Sequence, residues 1–158
     1  MRKIILLMAA LISPPLAWAD ADADIAYREA VMKVVGGHMK AMGTILKGQV
    51  HTADLAYHAN SMRDVSLLVP QIFPAGSGEG KTAALAAIWD EPAEFKLAMD
   101  LYVKAAAAMA DAVAGPKVAG AVASPAMADV NMMARVGPAI QALGKSCKGC
   151  HDDYKSDD

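Results

Sequence analysis

The sequence predicts an all-α protein of one domain, and three observations support this. Apolar residues recur every seven positions in two separate stretches, which is the pattern of helices that pack in a bundle. Glycine and proline cluster between these stretches and mark the connections. No convincing strand pattern surrounds the two cysteines. At 158 residues the chain has the length of a single domain.

Residues 1–19 have the pattern of an export signal. They begin with a basic pair, continue with an apolar run over residues 4–12, and end in a small-x-small cleavage pattern at Ala19. The apolar run is too short to span a bilayer, and no later stretch is long and charge-free enough to do so. We therefore expect cleavage after Ala19, an exported protein with no membrane span, and a helical domain over residues 20–158.

The charge of the exported part excludes two classes of partner. Two of the 15 basic residues lie in the export signal, so the remainder carries 13 basic against 17 acidic residues, a net charge of −4. A surplus of negative charge opposes binding to nucleic acid and to anionic lipid.

The first helix is predicted over residues 25–47, followed by Gly48 as the residue that ends it. Two seams of a heptad pattern run along it, made of Ile25, Met32, Met39 and Leu46 and of Arg28, Val35 and Met42. Arg28 is the exception, because a guanidinium on an apolar seam needs a partner if it is buried. It either reaches solvent near the helix end or pairs with a carboxylate, which its planar fork suits.

The second helix is predicted from an N-cap at Thr52 to a stop at Pro70. Its inner stripe repeats every seven residues, at Leu55, Met62 and Val69. His58 lies near this stripe, where a lone histidine is more often an ordinary polar residue than a ligand. We expect His38 and His51 to be exposed.

A long connection over residues 70–89 follows, rich in glycine and proline over its first half. Its apolar residues are expected to anchor it, and these are Phe73, Leu85, Ile88 and Trp89. The third helix is predicted from a cap at Asp90 to a stop at Gly115. The last helical segment restarts at Pro125, bends or splits at Gly137-Pro138, and continues to Tyr154.

This last segment carries Cys147-Lys148-Gly149-Cys150-His151, and C-x-x-C-H is the pattern of a c-type haem attachment site. Two thiols one helical turn apart can add to the two vinyl groups of one porphyrin. The histidine that follows can bind the iron through its neutral imidazole. The abundance of methionine and alanine also suits a core that a large planar cofactor partly fills.

Three other interpretations of the motif compete with haem. A redox-active cysteine pair would need a strand–helix setting, which the sequence does not predict here. A zinc site would need two further ligands, and no histidine has the spacing of a zinc finger. A structural disulfide is compatible with export but leaves His151 without a role.

Taken together, these residues resemble class II c-type cytochromes, the cytochrome c′ group and its low-spin relatives. The similarity covers nearly all of the exported chain. It is carried by Tyr27-Arg28, Met32, Lys47-Gly48, Ile88-Trp89 and residues 147–155 with the haem motif. The resemblance implies an antiparallel four-helix bundle with one covalently attached haem c between the helices.

The resemblance also implies roles for individual residues. Cys147 and Cys150 would form the thioether bonds, and His151 would be the proximal iron ligand. Arg28 and Glu29 would lie near the haem edge, where Arg28 can pair with a propionate. Many family members have arginine at the position of Lys155. Lysine keeps the positive charge here but lacks the planar guanidinium group. Family members often form a homodimer through their first two helices.

Met32 occupies the family's distal position, and we expect its thioether to bind the iron. The protein would then be a periplasmic electron carrier that cycles between Fe(III) and Fe(II) with redox partner proteins. In the other branch of the family the distal side chain only blocks the iron, which binds nitric oxide or carbon monoxide. An enzyme is not expected, because no distal acid–base pair is evident.

Overall fold

The computed structural model describes residues 21–115 and 125–157. It contains four long helices and one short one: α1 (Ala21–Gly48), α2 (Leu55–Ser66), α3 (Ala87–Asp90), α4 (Pro92–Ala114) and α5 (Pro125–Tyr154). Short 3₁₀ turns cover Thr52–Asp54 and Val69–Gln71. The described ranges contain no β-strand, only an isolated bridge between Ala84 and Lys155. The predicted all-α class is confirmed, and none of the described helices could cross a membrane. The predicted export signal lies outside the described residues.

The four long helices form an antiparallel bundle with an open seam. α1 packs on α2, α2 on α4, and α4 on α5. Between α1 and α5 the backbones come close at only a few places. At one of these, a Cβ added to Gly144 would lie 3.5 Å from the methyl group of Met39. Elsewhere along this seam the helices stand apart and leave a slot.

The core is built largely of methionine and small aliphatic side chains. Met42, Met62 and Met109 are fully buried, together with Leu143 and Val136. Met32 and Met39 are only partly buried, because these side chains line the slot. Ile25 of the same predicted seam is buried, whereas Val35 of the other seam is buried and also lines the slot. The heptad pattern therefore does not separate core residues from slot residues.

Several predicted helix ends are wrong by a few residues. Gly48 is still helical, and the left-handed position falls on Gln49, with φ of 51°. Thr52 begins a 3₁₀ turn instead of capping α2. Asp90 ends the short helix α3, so that Glu91 precedes α4 and makes no side-chain cap bond. Two short helical turns thus take the place of simple caps.

The end of α4 and the start of α5 lie where the sequence predicts them. α4 ends before Gly115, whose φ of 72° favours glycine, and α5 begins at Pro125. Arg135 donates from Nε to the carbonyl of Ala112, 3.2 Å away, and so satisfies an acceptor at the end of α4. Of the predicted bend or split at Gly137-Pro138, the split is wrong, since α5 continues through the proline, and the bend stays a prediction.

The connection between α2 and α3 is tied down at both edges. The indole Nε1 of Trp89 donates to the carbonyl of Pro74, 3.1 Å away, and a Cβ on Gly78 would lie 2.6 Å from the Trp89 ring. Leu85 donates its backbone N–H to Tyr154 at 3.0 Å, which ties the connection to the end of α5. Ile88 is buried as predicted, but the Leu85 side chain is 38% exposed, so Leu85 anchors the connection through its backbone and not through the predicted apolar contact.

Candidate functional site

The slot between α1 and α5 contains the predicted haem residues. A cavity of about 400 Å³ is lined by Cys147, Cys150 and His151 of the C-x-x-C-H motif. A second cavity of about 180 Å³ shares Met32 and His151 with the first, so the two form one continuous slot. The wall contributed by α1 is mostly apolar and consists of Met32, Val35, Gly36, Met39 and Lys40. This size and lining suit a large, mainly apolar ligand.

Cys147 and Cys150 lie one helical turn apart on the face of α5 that borders the slot. Both side chains are half-buried, and no disulfide joins them. Burial raises the pKa of both thiols, that of Cys150 to about 11. Among the described residues no three histidine, cysteine or acidic side chains converge, which argues against the zinc interpretation.

His151 lines both cavities beside the thiols. Burial lowers the pKa of its imidazole, and the nearby Lys155 lowers it further. The ring is therefore neutral at physiological pH, as an iron ligand must be. The other three histidines lie on the α1–α2 side of the bundle and do not line the slot. His51 is exposed as predicted, but His38 is half-buried against His58, so its predicted exposure is wrong.

Met32 borders the slot on the α1 side, where it lines both cavities together with His151. One turn further along α1, Gly36 also faces the larger cavity. A Cβ added to Gly36 would meet no atom within 4 Å. The space beside Met32 is therefore open and bounded by apolar groups.

Arg28 is buried, with only 4% of its surface exposed, so the alternative in which it reaches solvent is wrong. Its Nη1 donates to Ser77 Oγ at 2.9 Å and to Ile72 O at 3.3 Å. Its Nη2 donates to Ser77 O at 2.9 Å and to Thr82 Oγ1 at 3.0 Å. All four Nη hydrogens thus have acceptors in the connection between α2 and α3.

Aromatic rings complete the surroundings of this guanidinium, which lies 5.1 Å from the centroid of Phe73 and 5.9 Å from that of Trp89. Burial lowers the Arg28 pKa, and the charges of Asp24 and Glu29 oppose that shift. Arg28 also lines the smaller cavity. Its pairing with a propionate stays a prediction, and it would have to compete with the bonds to the connection.

Glu29 and Lys155 border the same smaller cavity. Glu29 is 3.8 Å from Lys33 in an exposed ion pair, which contributes little to stability. Lys155 donates from Nζ to the carbonyl of Ser156, 2.6 Å away. One end of the slot is therefore charged, whereas the walls near Met32 and Met39 are apolar. This asymmetry suits a porphyrin with its carboxylates at one edge.

The connection over residues 70–89 is a candidate to cover one haem edge from its sequence, and Thr82 and Ala84 within it line the smaller cavity. Nothing in the local sequence indicates which residues of the connection do so. Met99 and Tyr102 of α4 line the larger cavity. Apolar residues on one face of α4 were the available sequence signal for these two positions. The hydroxyl of Tyr102 donates to Met62 Sδ at 3.3 Å, which fixes the ring at the floor of the slot.

The arrangement fits a covalently attached haem c. Two cysteines one turn apart, a neutral imidazole and a partly apolar slot border the same space. The charged residues at one end of the slot suit the polar edge of the porphyrin. The residues that would hold the group are therefore Cys147, Cys150 and His151, with Arg28 and Glu29 near its edge.

Comparison with known proteins also indicates a protein that carries haem c. The family model described as "Cytochrome C'" matches residues 23–155. The chain is 37% identical to the cytochrome c′ of Pararhodospirillum photometricum, over 87% of this chain and 99% of the relative. The solved cytochrome c′ of Shewanella frigidimarina is 32% identical with a TM-score of 0.72, covering 88% of this chain and 98% of that one.

A nitric oxide complex of a mutant cytochrome c′ from Alcaligenes xylosoxidans shares the fold. Its TM-score is 0.68 at 23% identity, and the match covers 88% of this chain and 98% of that one. The family model spans nearly all of the described residues, including the cysteine–histidine motif. The chain therefore belongs to the cytochrome c′ family and carries one covalently attached haem c.

Proposed function

We propose that this protein binds a small diatomic gas, nitric oxide or carbon monoxide, at a haem iron whose sixth position Met32 covers but does not occupy. The apolar wall that α1 presents to the slot, formed by Met32, Val35, Gly36 and Met39, carries the proposal. A diatomic gas is small and weakly polar, so an apolar distal wall can admit it at little desolvation cost. The solved relative in complex with nitric oxide supports the same interpretation.

In this proposal each residue of the slot has a separate task. Cys147 and Cys150 fix the porphyrin to α5, and His151 binds the iron from the same helix. Met32 restricts access from α1, and Arg28 with Glu29 borders the propionate edge. When bound, the haem supplies an iron that changes between the ferric and ferrous states. The predicted export signal supports a periplasmic location, where c-type haem is usually attached.

Electron transfer is the second candidate, and the position of Met32 favours it. Its side chain borders the same slot as His151, so its soft thioether could provide the sixth ligand. Histidine–methionine ligation raises the reduction potential and suits a carrier that exchanges electrons with redox partner proteins. A homodimer formed by α1 and α2 is compatible with either function.

Replacing Met32 with alanine distinguishes the two functions. If Met32 only covers the iron, the ferric protein is high-spin before the change and stays high-spin after it. Carbon monoxide should then bind roughly tenfold more tightly, because the Met32 side chain no longer crowds the bound gas. A tenfold change in affinity corresponds to about 1.4 kcal/mol of binding free energy. Visible spectra of both oxidation states and a carbon monoxide titration provide the measurement.

Met39→Ala is the matched control, because Met39 lines the same cavity seven residues further along α1. It should change carbon monoxide affinity much less than Met32→Ala. A low-spin unmutated protein that becomes high-spin only in Met32→Ala would contradict gas binding and establish Met32 as a ligand.

Replacing His151 with alanine should abolish the native visible spectrum, because no other histidine lines the described slot. His38→Ala, His51→Ala and His58→Ala should leave the spectrum unchanged, since these side chains lie on the α1–α2 side. Spectra of the four purified variants, at equal haem content, test the assignment. Loss of axial ligation in one of the three controls, with a normal spectrum in His151→Ala, would show that the ligand is wrongly assigned.

A further inference from the structure

The two ends of the slot differ in which edge of a haem they can hold. Cys147 and Cys150 line the larger cavity but not the smaller one, so the vinyl groups that they bind belong at the larger end. In a haem the two propionates lie on the edge opposite the vinyl groups. Since His151 lines both cavities and would bind the iron between them, the propionates belong in the smaller cavity.

Thr82 lines this smaller cavity from the connection between α2 and α3, and its hydroxyl group has one hydrogen-bonding role left. A hydroxyl group can accept two hydrogen bonds and donate one. Thr82 Oγ1 accepts from Arg28 Nη2 at 3.0 Å and from the backbone N–H of Ala84 at 3.1 Å. In the part of the chain that the structure describes, this hydroxyl makes no further hydrogen bond. It can therefore bind another group only as a donor.

The charges around Thr82 favour an anionic acceptor for this donor. The Arg28 guanidinium bonds to the hydroxyl oxygen, which polarises the O–H bond and strengthens it as a donor. Hydrogen bonds to a carboxylate are roughly twice as strong as those between neutral groups. Glu29, the one carboxylate among the residues that line the cavity, makes an exposed ion pair with Lys33 and no bond to Thr82. The protein itself therefore supplies no acceptor here, and the alternatives are a haem propionate and water.

We propose that the Thr82 hydroxyl donates a hydrogen bond to a haem propionate, which makes Thr82 a cofactor-binding residue of the connection. Arg28 supports this bond by holding the hydroxyl oxygen from the protein side. A donor at a propionate offsets part of its negative charge, and less negative charge near the iron favours the ferrous state. The inference rests on the haem of the family and holds whether the iron binds a gas or transfers electrons.

Thr82→Val tests the proposal, because valine has the shape of threonine but no hydroxyl. In the haem-loaded protein, the propionate bending mode in the resonance Raman spectrum should shift to lower frequency when the bond is lost. The reduction potential, measured by spectroelectrochemistry, should fall. Thr82→Ser keeps the hydroxyl and should leave both values close to those of the unmutated protein. A shift in Thr82→Ser as large as that in Thr82→Val would contradict the role of the hydroxyl.

Ser77→Ala is the matched control, since Ser77 Oγ accepts from Arg28 Nη1 at 2.9 Å in the same connection but lines neither cavity. Both changes leave one guanidinium N–H without its acceptor, so both should lower the urea unfolding midpoint. Only Thr82→Val should shift the Raman mode and the potential. Equal shifts in both variants would show that the effect passes through Arg28 and would overturn the proposal. An unchanged Raman mode in Thr82→Val would also overturn it, because the hydroxyl then donates to water. If Thr82→Val takes up no haem, Thr82→Ala also lacks the hydroxyl and serves in its place.

Discussion

Replacing both Cys147 and Cys150 with serine should abolish covalent haem attachment completely. Serine keeps the size and the helical position, but its hydroxyl does not form a stable thioether-like link to a vinyl group. The chain has two cysteines in all, and both border the slot, so no other thiol can substitute. Acid–acetone extraction of the purified protein should then release any haem that it retains, whereas the unmutated protein should keep its colour.

Single changes at the two cysteines refine this test. Cys147→Ser and Cys150→Ser should each keep one covalent link, with a shifted absorption maximum because one vinyl group remains intact. Ser146→Ala is a suitable control, since Ser146 lines the same cavity but carries no thiol, and its hydroxyl donates to the carbonyl of Leu143. Colour that stays on the double variant after extraction would refute attachment through these residues.

Replacing Arg28 with leucine should destabilise the protein by about 3 kcal/mol. The change removes the donor for four acceptors in the connection, and buried acceptors left without partners cost about 1–3 kcal/mol. It also removes the stacking of the guanidinium on Phe73. Urea unfolding of the haem-loaded protein, monitored by absorbance and by circular dichroism, measures the loss.

Lys33→Leu is the matched control, because it removes the same charge from the same helix at an exposed site. Its effect should stay within about 0.5 kcal/mol. Equal unfolding midpoints for the two variants would contradict the structural role of Arg28. The reduction potential decides the separate question of the propionate. A shift in Arg28→Leu but not in Lys33→Leu supports the pairing, and an unchanged potential excludes it.

The sequence was sufficient for the features that depend on local pattern. The seven-residue spacing predicts the helices, and the cysteine–histidine motif identifies the wall of the slot on α5. Pro125 and Gly115 mark helix ends correctly because their backbone preferences act within one turn. The same local signals failed at Thr52 and Asp90, where short helical turns displaced the expected caps.

Features that join distant residues could not be predicted in this way. The acceptors of Arg28 lie between 44 and 54 residues further along the chain, in a segment without periodicity. The contact between His38 and His58 depends on how α1 and α2 are rotated about their axes. A heptad pattern fixes which face of a helix is apolar, but it does not fix which polar side chains at the edge of that face meet.

The open seam between α1 and α5 also affects the order in which the protein can assemble. Met32 and Cys147 border one slot, although they are 115 residues apart in the sequence. Contacts between such distant residues form late in folding, because closing a long loop costs entropy before any contact compensates for it. The helix pairs α1–α2 and α4–α5 can each form from neighbouring segments. The slot therefore exists only once α5 has joined α1, and a partly synthesised chain that lacks α5 has no pocket to close.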